Sequence, residues 1–225
     1  MINLMPPHDR YVETHFGGGA VMRNKRPAST NIGIDIDPAA LEKWPRDSAV
    51  NITLIHGDAL KTLASLSLGP GDLIYVDPPY FPETRRRKRV YRFDYTPDEH
   101  ASLLQFLMRV RCMALVSGYR CNLYDTYLKD WNRRDFLAWT HTGFRTESIW
   151  YNYPTPSVLH DSRFLGGNYR ERQNVKRRTE RIRSRLSRLP LIERMEILSW
   201  LESQLRKAAV HAEQGQAGSN NGGHC

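Results

Sequence analysis

Between residues 10 and 117 the sequence repeats one pattern, a short apolar run that ends in a small or acidic residue and is followed by a helix signal. The runs are Tyr11-Val12-Glu13, Asn31-Ile32-Gly33-Ile34, Ile52-Thr53-Leu54-Ile55, Asp72-Leu73-Ile74-Tyr75-Val76 and Met113-Ala114-Leu115-Val116-Ser117. Each is too short for a helix, and a spacing of roughly 20 residues leaves room for a crossover helix between parallel strands. Helix starts fall in the gaps. Pro38 follows Asp37, and Thr96-Pro97-Asp98-Glu99 supplies an N-cap, a proline at the first helical position and a capping-box glutamate. The repeat is therefore βαβ, and it predicts an α/β chain with a doubly wound, mostly parallel sheet. Trp139-Thr140-His141 and Ser148-Ile149-Trp150-Tyr151 flank Thr142-Gly143, which predicts a closing antiparallel hairpin in place of another crossover. A length of 225 residues with 40% hydrophobic content suits one such domain and a short extension.

Beyond Pro156 the composition shifts. Gly166-Gly167 precedes an Arg-rich helical run, Pro190 opens a second helix, and Gln214 to Cys225 is rich in Gly, Asn and Ser. These changes predict a main domain over 1–156, a basic helical extension over 157–213 and a disordered tail over 214–225. Leu191, Met195, Leu198, Leu201 and Leu205 share one face of the last helix, so that face is expected to pack against a neighbour. No run approaches the ~18 apolar residues of a membrane span. The N-terminus lacks the features of a signal peptide, so a cytoplasmic protein without a membrane partner is expected. Cys112, Cys121 and Cys225 fit no metal or disulfide spacing; they read as ordinary thiols, with no metal.

The formal charge of +9 is local. Residues 163–188 carry +8 and Arg85-Arg86-Arg87-Lys88-Arg89 another +5, which leaves −4 for the rest. A mildly acidic body with two concentrated positive segments suits a polyanion, because Lys and Arg that neutralise phosphates gain affinity by releasing counterions. A solvated helix face is the competing explanation for either segment.

Three loops at the carboxyl ends of the predicted strands carry candidate binding chemistry. Phe16-Gly17-Gly18-Gly19 is a glycine-rich strand-to-helix bend that lets a ligand approach main-chain N–H groups. Asp35, in Gly33-Ile34-Asp35-Ile36-Asp37, stands where an acidic residue commonly accepts ribose hydroxyls, whereas Asp37 suits a helix N-cap. Asp58, in Gly57-Asp58-Ala59, would reach the same edge. Together the three loops outline a nucleoside-shaped site. The sharpest element is Asp77-Pro78-Pro79-Tyr80, directly after the fourth strand. Two prolines remove two N–H groups and stiffen the turn, so Asp77 and the Pro78 carbonyl stand as hydrogen-bond acceptors. Such a corner suits an exocyclic amine, whose lone pair must be drawn out of the ring and aimed at an electrophile. Tyr80 offers a ring on which a base can stack.

On these residues the chain resembles the DNA adenine methylases of the Dam-like, phage-associated type, within the class I S-adenosylmethionine-dependent methyltransferases. The resemblance spans most of residues 5–190. It includes Pro6-Pro7-His8, the Phe16–Gly19 bend, Asp35, Asp58, the DPPY sequence at 77–80 and Tyr91-Arg92-Phe93-Asp94-Tyr95. It implies a class I fold, S-adenosylmethionine as cofactor and methyl transfer to N6 of adenine in DNA. Phe16, Gly17, Gly18 and Gly19 would border the methionine half, Asp35 and Ile36 the ribose, Asp58 and Ala59 the cofactor's adenine, and Asp77, Pro78, Pro79 and Tyr80 would be catalytic. Two departures stand out. A Gly- and Lys-containing segment that relatives carry ahead of Pro-Pro-His is missing, and Thr14-His15 replaces a proline and an aromatic. Asp77 follows Asp58 by nineteen positions, too few for an inserted recognition domain. DNA contacts are therefore expected from Arg85, Arg86, Arg87, Lys88, Arg89, Tyr91 and Phe93, and from Arg170, Arg172, Lys176, Arg177 and Arg178. The turn does not sense the sugar of a polymer, so RNA or another amine stands as an alternative substrate. A DNA-binding relative without catalysis is the alternative from another class, and the sequence names no restriction partner.

Overall fold

The computed structural model describes residues 1–84, 92–140 and 143–218, with side chains described through 138 and from 143 to 207. It divides into two compact units, Met1–Leu165 and Gly166–Cys225.

The first unit is built on a seven-stranded sheet of order β3-β2-β1-β4-β5-β7-β6. The strands are β1 (Arg10–Thr14), β2 (Thr30–Asp35), β3 (Thr53–His56), β4 (Asp72–Val76), β5 (Met113–Gly118), β6 (Asn132–Thr140) and β7 (Gly143–Tyr151). The first five are parallel, and β7 pairs antiparallel with β5 and with β6. Helices α1 (Ala20–Asn24), α2 (Pro38–Leu41), α3 (Ala59–Ser65), α4 (Pro97–Leu107) and α5 (Asn122–Tyr127) fill the connections. The local signals act as expected. Asp37 accepts from Ala39 N at the start of α2, and Thr96 and Glu99 form the reciprocal capping box of α4. Every residue of β4 is buried, as a central strand covered on both faces requires. Alternation divides the core in two: Val12, Ile74 and Val116 face one side with Leu103, Leu104 and Leu107, while Tyr11, Leu73, Tyr75 and Leu115 face the other with Phe16 and Met22. The hairpin is longer than expected, and its turn at 141–142 lies outside the described residues.

Segment 157–165, expected in the extension, is tied to this unit. His160 N donates to Met5 O at 2.9 Å and Arg26 N to Asp161 Oδ2 at 2.8 Å.

In the second unit α6 spans Tyr169–Ser187 and α7 spans Leu191–Gly218. Asn168 caps α6 by accepting from Glu171 N at 2.9 Å, while Glu171 reaches back to Gly167 N at 2.8 Å. α7 carries helix five residues into the segment 214–225 expected as tail; 219–225 lie outside the described residues. The expected packing of the α7 stripe is not seen, since Leu191, Met195, Leu198, Leu201 and Leu205 are all exposed. In the same unit α6 carries Tyr169, Val175, Ile182 and Leu186 among polar and charged residues.

Candidate active site

The sheet grows in opposite directions from β1 and β4, which lie side by side with Thr14 opposite Val76. At such a switch point the connections leave on opposite faces, and a crevice opens beyond the carboxyl ends of the strands. A cavity of about 280 Å³ lies there. Its walls come from His15 and Gly17 after β1, from Asp35, Ile36 and Asp37 after β2, from Asp77, Pro78, Pro79 and Tyr80 after β4, and from Arg92, Phe93 and Tyr95 ahead of α4.

The glycine-rich bend is fixed to β2 by a hydrogen bond from Phe16 N to Ile34 O at 3.0 Å. His15, Gly17 and Gly19 all have positive φ, at 53°, 53° and 64°. The ring of Phe16 turns into the core against Trp44 and is only 3% exposed. A Cβ on Gly19 would fall 2.3 Å from that ring and one on Gly33 2.7 Å, so these glycines make room for Phe16 and not for a ligand. Gly17 differs. A Cβ there would meet only His15 O at 4.0 Å, so bare backbone faces the cavity. Asp35 is held by both neighbouring loops, its Oδ2 accepting from Gly17 N at 2.7 Å and its Oδ1 from Asp37 N at 2.8 Å. Each carboxylate oxygen keeps a second lone pair for a ligand hydroxyl. Asp58 accepts from Lys61 N at 2.8 Å as the N-cap of α3, and Ala59 is buried. Of the expected cofactor residues, Gly17, Asp35 and Ile36 line the cavity; Phe16, Gly18, Gly19, Asp58 and Ala59 do not.

Asp77 keeps an exposed face toward the cavity while protein crowds the rest of it. That crowding disfavours the charged form and raises its carboxyl above the usual carboxylate range. The Ser117 hydroxyl opposes the rise, and Glu147 adds to it. Ser117 Oγ donates to Asp77 Oδ1 at 2.5 Å and lies 3.0 Å from Tyr75 OH, which leaves the tyrosine hydroxyl as donor in a chain Tyr75–Ser117–Asp77. Tyr80 is braced from behind. Its hydroxyl donates to Glu147 Oε1 at 3.1 Å, its ring lies 4.4 Å from that of Tyr119, and the Arg145 guanidinium covers Tyr119 at 4.3 Å. Under β1, Glu13 is buried and accepts from Tyr11 OH at 3.1 Å; burial pushes its carboxyl up to about 8.

Ser117, Tyr119, Arg145 and Glu147 were not expected at the site. A signal for Ser117 exists, because a hydroxyl at the carboxyl end of the otherwise apolar strand β5 sits at the edge where ligands bind; the other three carry none. Of the expected nucleic-acid residues, Phe93 lines the cavity with 39% exposure, whereas Arg85, Arg86, Arg87, Lys88, Arg89 and Tyr91 lie outside the described residues. In the second unit Arg170, Lys176, Arg177 and Arg178 project from α6 and Arg172 is half-buried. Among the described residues no cluster of His, Cys, Asp and Glu could hold a metal, and no helix is long and apolar enough to cross a membrane.

No protein-family model matches the sequence, and no curated protein does. Solved structures resemble it at low identity. A SAM-dependent methyltransferase from Archaeoglobus fulgidus is 12% identical over 68% of this chain and 89% of that one, with a TM-score of 0.48. M. capricolum TrmK in complex with S-adenosylhomocysteine is 10% identical over 92% of this chain and 93% of that one, at 0.45. The N-methyltransferase NodS from Bradyrhizobium japonicum WM9, also with S-adenosylhomocysteine, is 13% identical over 64% and 78%, at 0.43. Likeness at that level carries nothing about cofactor or substrate. The fold is fixed by the strand order and by the antiparallel seventh strand inserted beside β5: this chain has a Rossmann-like, doubly wound α/β fold.

Proposed function

We propose that this chain transfers a methyl group from S-adenosylmethionine to the exocyclic N6 of adenine in DNA. One observation carries the proposal: the Asp77 carboxylate opens into the same crevice as the bare backbone of Gly17 and the carboxylate of Asp35. The crevice fits a nucleoside cofactor. Asp35 retains acceptor capacity for ribose hydroxyls, and Gly17 lets a ligand reach the main chain.

S-adenosylmethionine supplies an electrophilic sulfonium methyl. Asp77 and the Pro78 carbonyl accept the two N–H groups of the target amine and favour a pyramidal nitrogen whose lone pair is free to attack. Pro78 and Pro79 offer no N–H to compete for those acceptors. As the N–C bond forms and the C–S bond breaks, N6 becomes cationic and must lose a proton. Asp77 is the acceptor in place, and crowding that raises its carboxyl makes it a stronger base. Tyr80, fixed by Glu147 and Tyr119, presents its remaining surface to the base. No covalent enzyme intermediate is required. The adenine must leave the duplex stack at a cost of a few kcal/mol. Phe93 at the cavity, the basic run at 85–89 and the arginines of α6 are the groups proposed to offset that cost through base and phosphate contacts.

The test is transfer of labelled methyl to DNA and RNA of equal sequence by the wild type and by Asp77→Ala. Transfer to DNA that is lost in the variant supports the proposal; transfer to RNA alone ends the DNA assignment, and turnover retained by the variant ends the mechanism.

A further inference from the structure

Helix α7 leaves an apolar stripe on the surface. Leu191, Met195, Leu198, Leu201 and Leu205 are between 41% and 68% exposed, and residues three, four and seven apart lie on one face of a helix. An isolated helix is marginal in water, and packing of its apolar face normally supplies the missing stability. Such a stripe calls for a partner.

The order of residues along the stripe points to which partner. It is symmetric about Leu198: Met195 and Leu201 lie three residues to either side, and Leu191 and Leu205 seven residues to either side. The same face holds two charges, Arg194 and Glu202, each four residues from Leu198 and opposite in sign. Glu202 pairs with Arg206 at 3.6 Å one turn further on. Arg194 has no acidic residue three or four positions away on its own helix, and among the described residues it makes no ion pair.

Two copies of α7 laid antiparallel, with Leu198 beside Leu198, satisfy the whole pattern. Leu191 of one copy then stands level with Leu205 of the other, Met195 with Leu201, and Arg194 with Glu202, each pair occurring twice. A parallel arrangement would instead set every residue beside its own counterpart, Arg194 against Arg194 and Glu202 against Glu202, and like charges in apposition are unfavourable. The apolar positions and the charges therefore select the same geometry.

We infer that α7 is a self-association element through which two copies of this chain pair, antiparallel and two-fold symmetric about Leu198. A contact of one patch with its own copy closes after two subunits, so the product is a dimer and not a filament. From Leu191 to Leu205 the contact runs about 21 Å. That is small for a stable interface and sets the dissociation constant in roughly the micromolar range. Each dimer carries two basic α6 helices, which doubles the charge available for phosphates, and the inference is independent of the chemistry in the crevice.

The experiment is sedimentation of the full chain, freed of nucleic acid, over concentrations from about 1 to 100 µM, a range that brackets micromolar association. The wild type should double in mass across it. Leu198→Asp, which puts two carboxylates together on the symmetry axis, should stay a monomer throughout. Arg194→Glu and Glu202→Arg each set like charges level with one another and should weaken the dimer by about tenfold or more. The double variant restores opposite charges in exchanged places and should recover it, which also shows that the single variants fail through charge and not through loss of the helix. A wild type that remains a monomer at the highest concentration overturns the inference, whatever else covers the stripe. A dimer that both single charge reversals leave unchanged overturns it as well.

Discussion

Replacing Ser117 by alanine separates the electrostatic role of Asp77 from its mere presence. The Ser117 hydroxyl is buried, donates to Asp77 Oδ1 at 2.5 Å and is itself fed by Tyr75 OH at 3.0 Å. A hydrogen bond to a charged group is worth about 1.5–3 kcal/mol, and one pKa unit corresponds to about 1.4 kcal/mol. Loss of the hydroxyl should therefore raise the Asp77 carboxyl further. The Asp77 carboxylate must be ionised to accept the amine hydrogens, so activity is lost as pH falls through its pKa. In Ser117→Ala the acidic limb of kcat against pH should move to higher pH, with rates on that limb down by roughly tenfold to a hundredfold, the rate equivalent of the lost hydrogen bond, and recovery toward the wild-type plateau at alkaline pH. The assay is labelled-methyl transfer to DNA at saturating cofactor across pH 5 to 9. A uniform loss at every pH, with the limb unmoved, would refute the reasoning and reduce Ser117 to a packing contact.

Three further outcomes follow from the geometry. Glu13 should make stability fall with pH: its proton leaves the unfolded chain near the ordinary glutamate value of 4.5 but the folded one only at about 8, so folding stability is lost across that window. Glu13→Gln removes the slope, and thermal melts should show the variant gaining about 2–3 kcal/mol on wild type between pH 5 and 7; parallel curves contradict it. Gly19→Ala should destabilise by about 1–3 kcal/mol, since the methyl meets the Phe16 ring and the backbone sits at φ 64°, with denaturant melts as the measurement and an unchanged midpoint as the contrary result. Neutralising Arg85 to Arg89 should lower the dependence of log K for DNA on log salt by about 0.9 per lost phosphate contact; an unchanged slope places the contacts elsewhere.

The parallel strands were legible because each is an apolar run with turn residues at its ends, and Asp35 and Asp77 were legible as candidates because they stand at strand ends, where doubly wound sheets bind ligands. β6 was not. Its first half, Asn132-Arg133-Arg134-Asp135, is an exposed edge with no alternation to betray it, and only its pairing with β7 makes it a strand. The inward turn of Phe16 is set by Trp44 and by the space above Gly19 and Gly33, contacts that local sequence does not encode. Ser117 and Glu147 reach the DPPY turn from strands 40 and 67 residues away from their partners Asp77 and Tyr80, a separation across which only the fold itself brings them together. The apolar stripe of α7 shows the opposite failure, a periodicity that was read correctly as one face but does not find a packing partner in its own unit.

The central claim is that the acceptor-rich turn at Asp77 drives methylation of an adenine amine in DNA. Incubation of duplex DNA with the protein and S-adenosylmethionine, followed by digestion to nucleosides and mass spectrometry, tests it most directly. N6-methyladenine formed by the wild type and missing with Asp77→Ala, while the variant still binds DNA, is the predicted result. Methyl groups found only on another base, or N6-methyladenine produced equally by the variant, would contradict it.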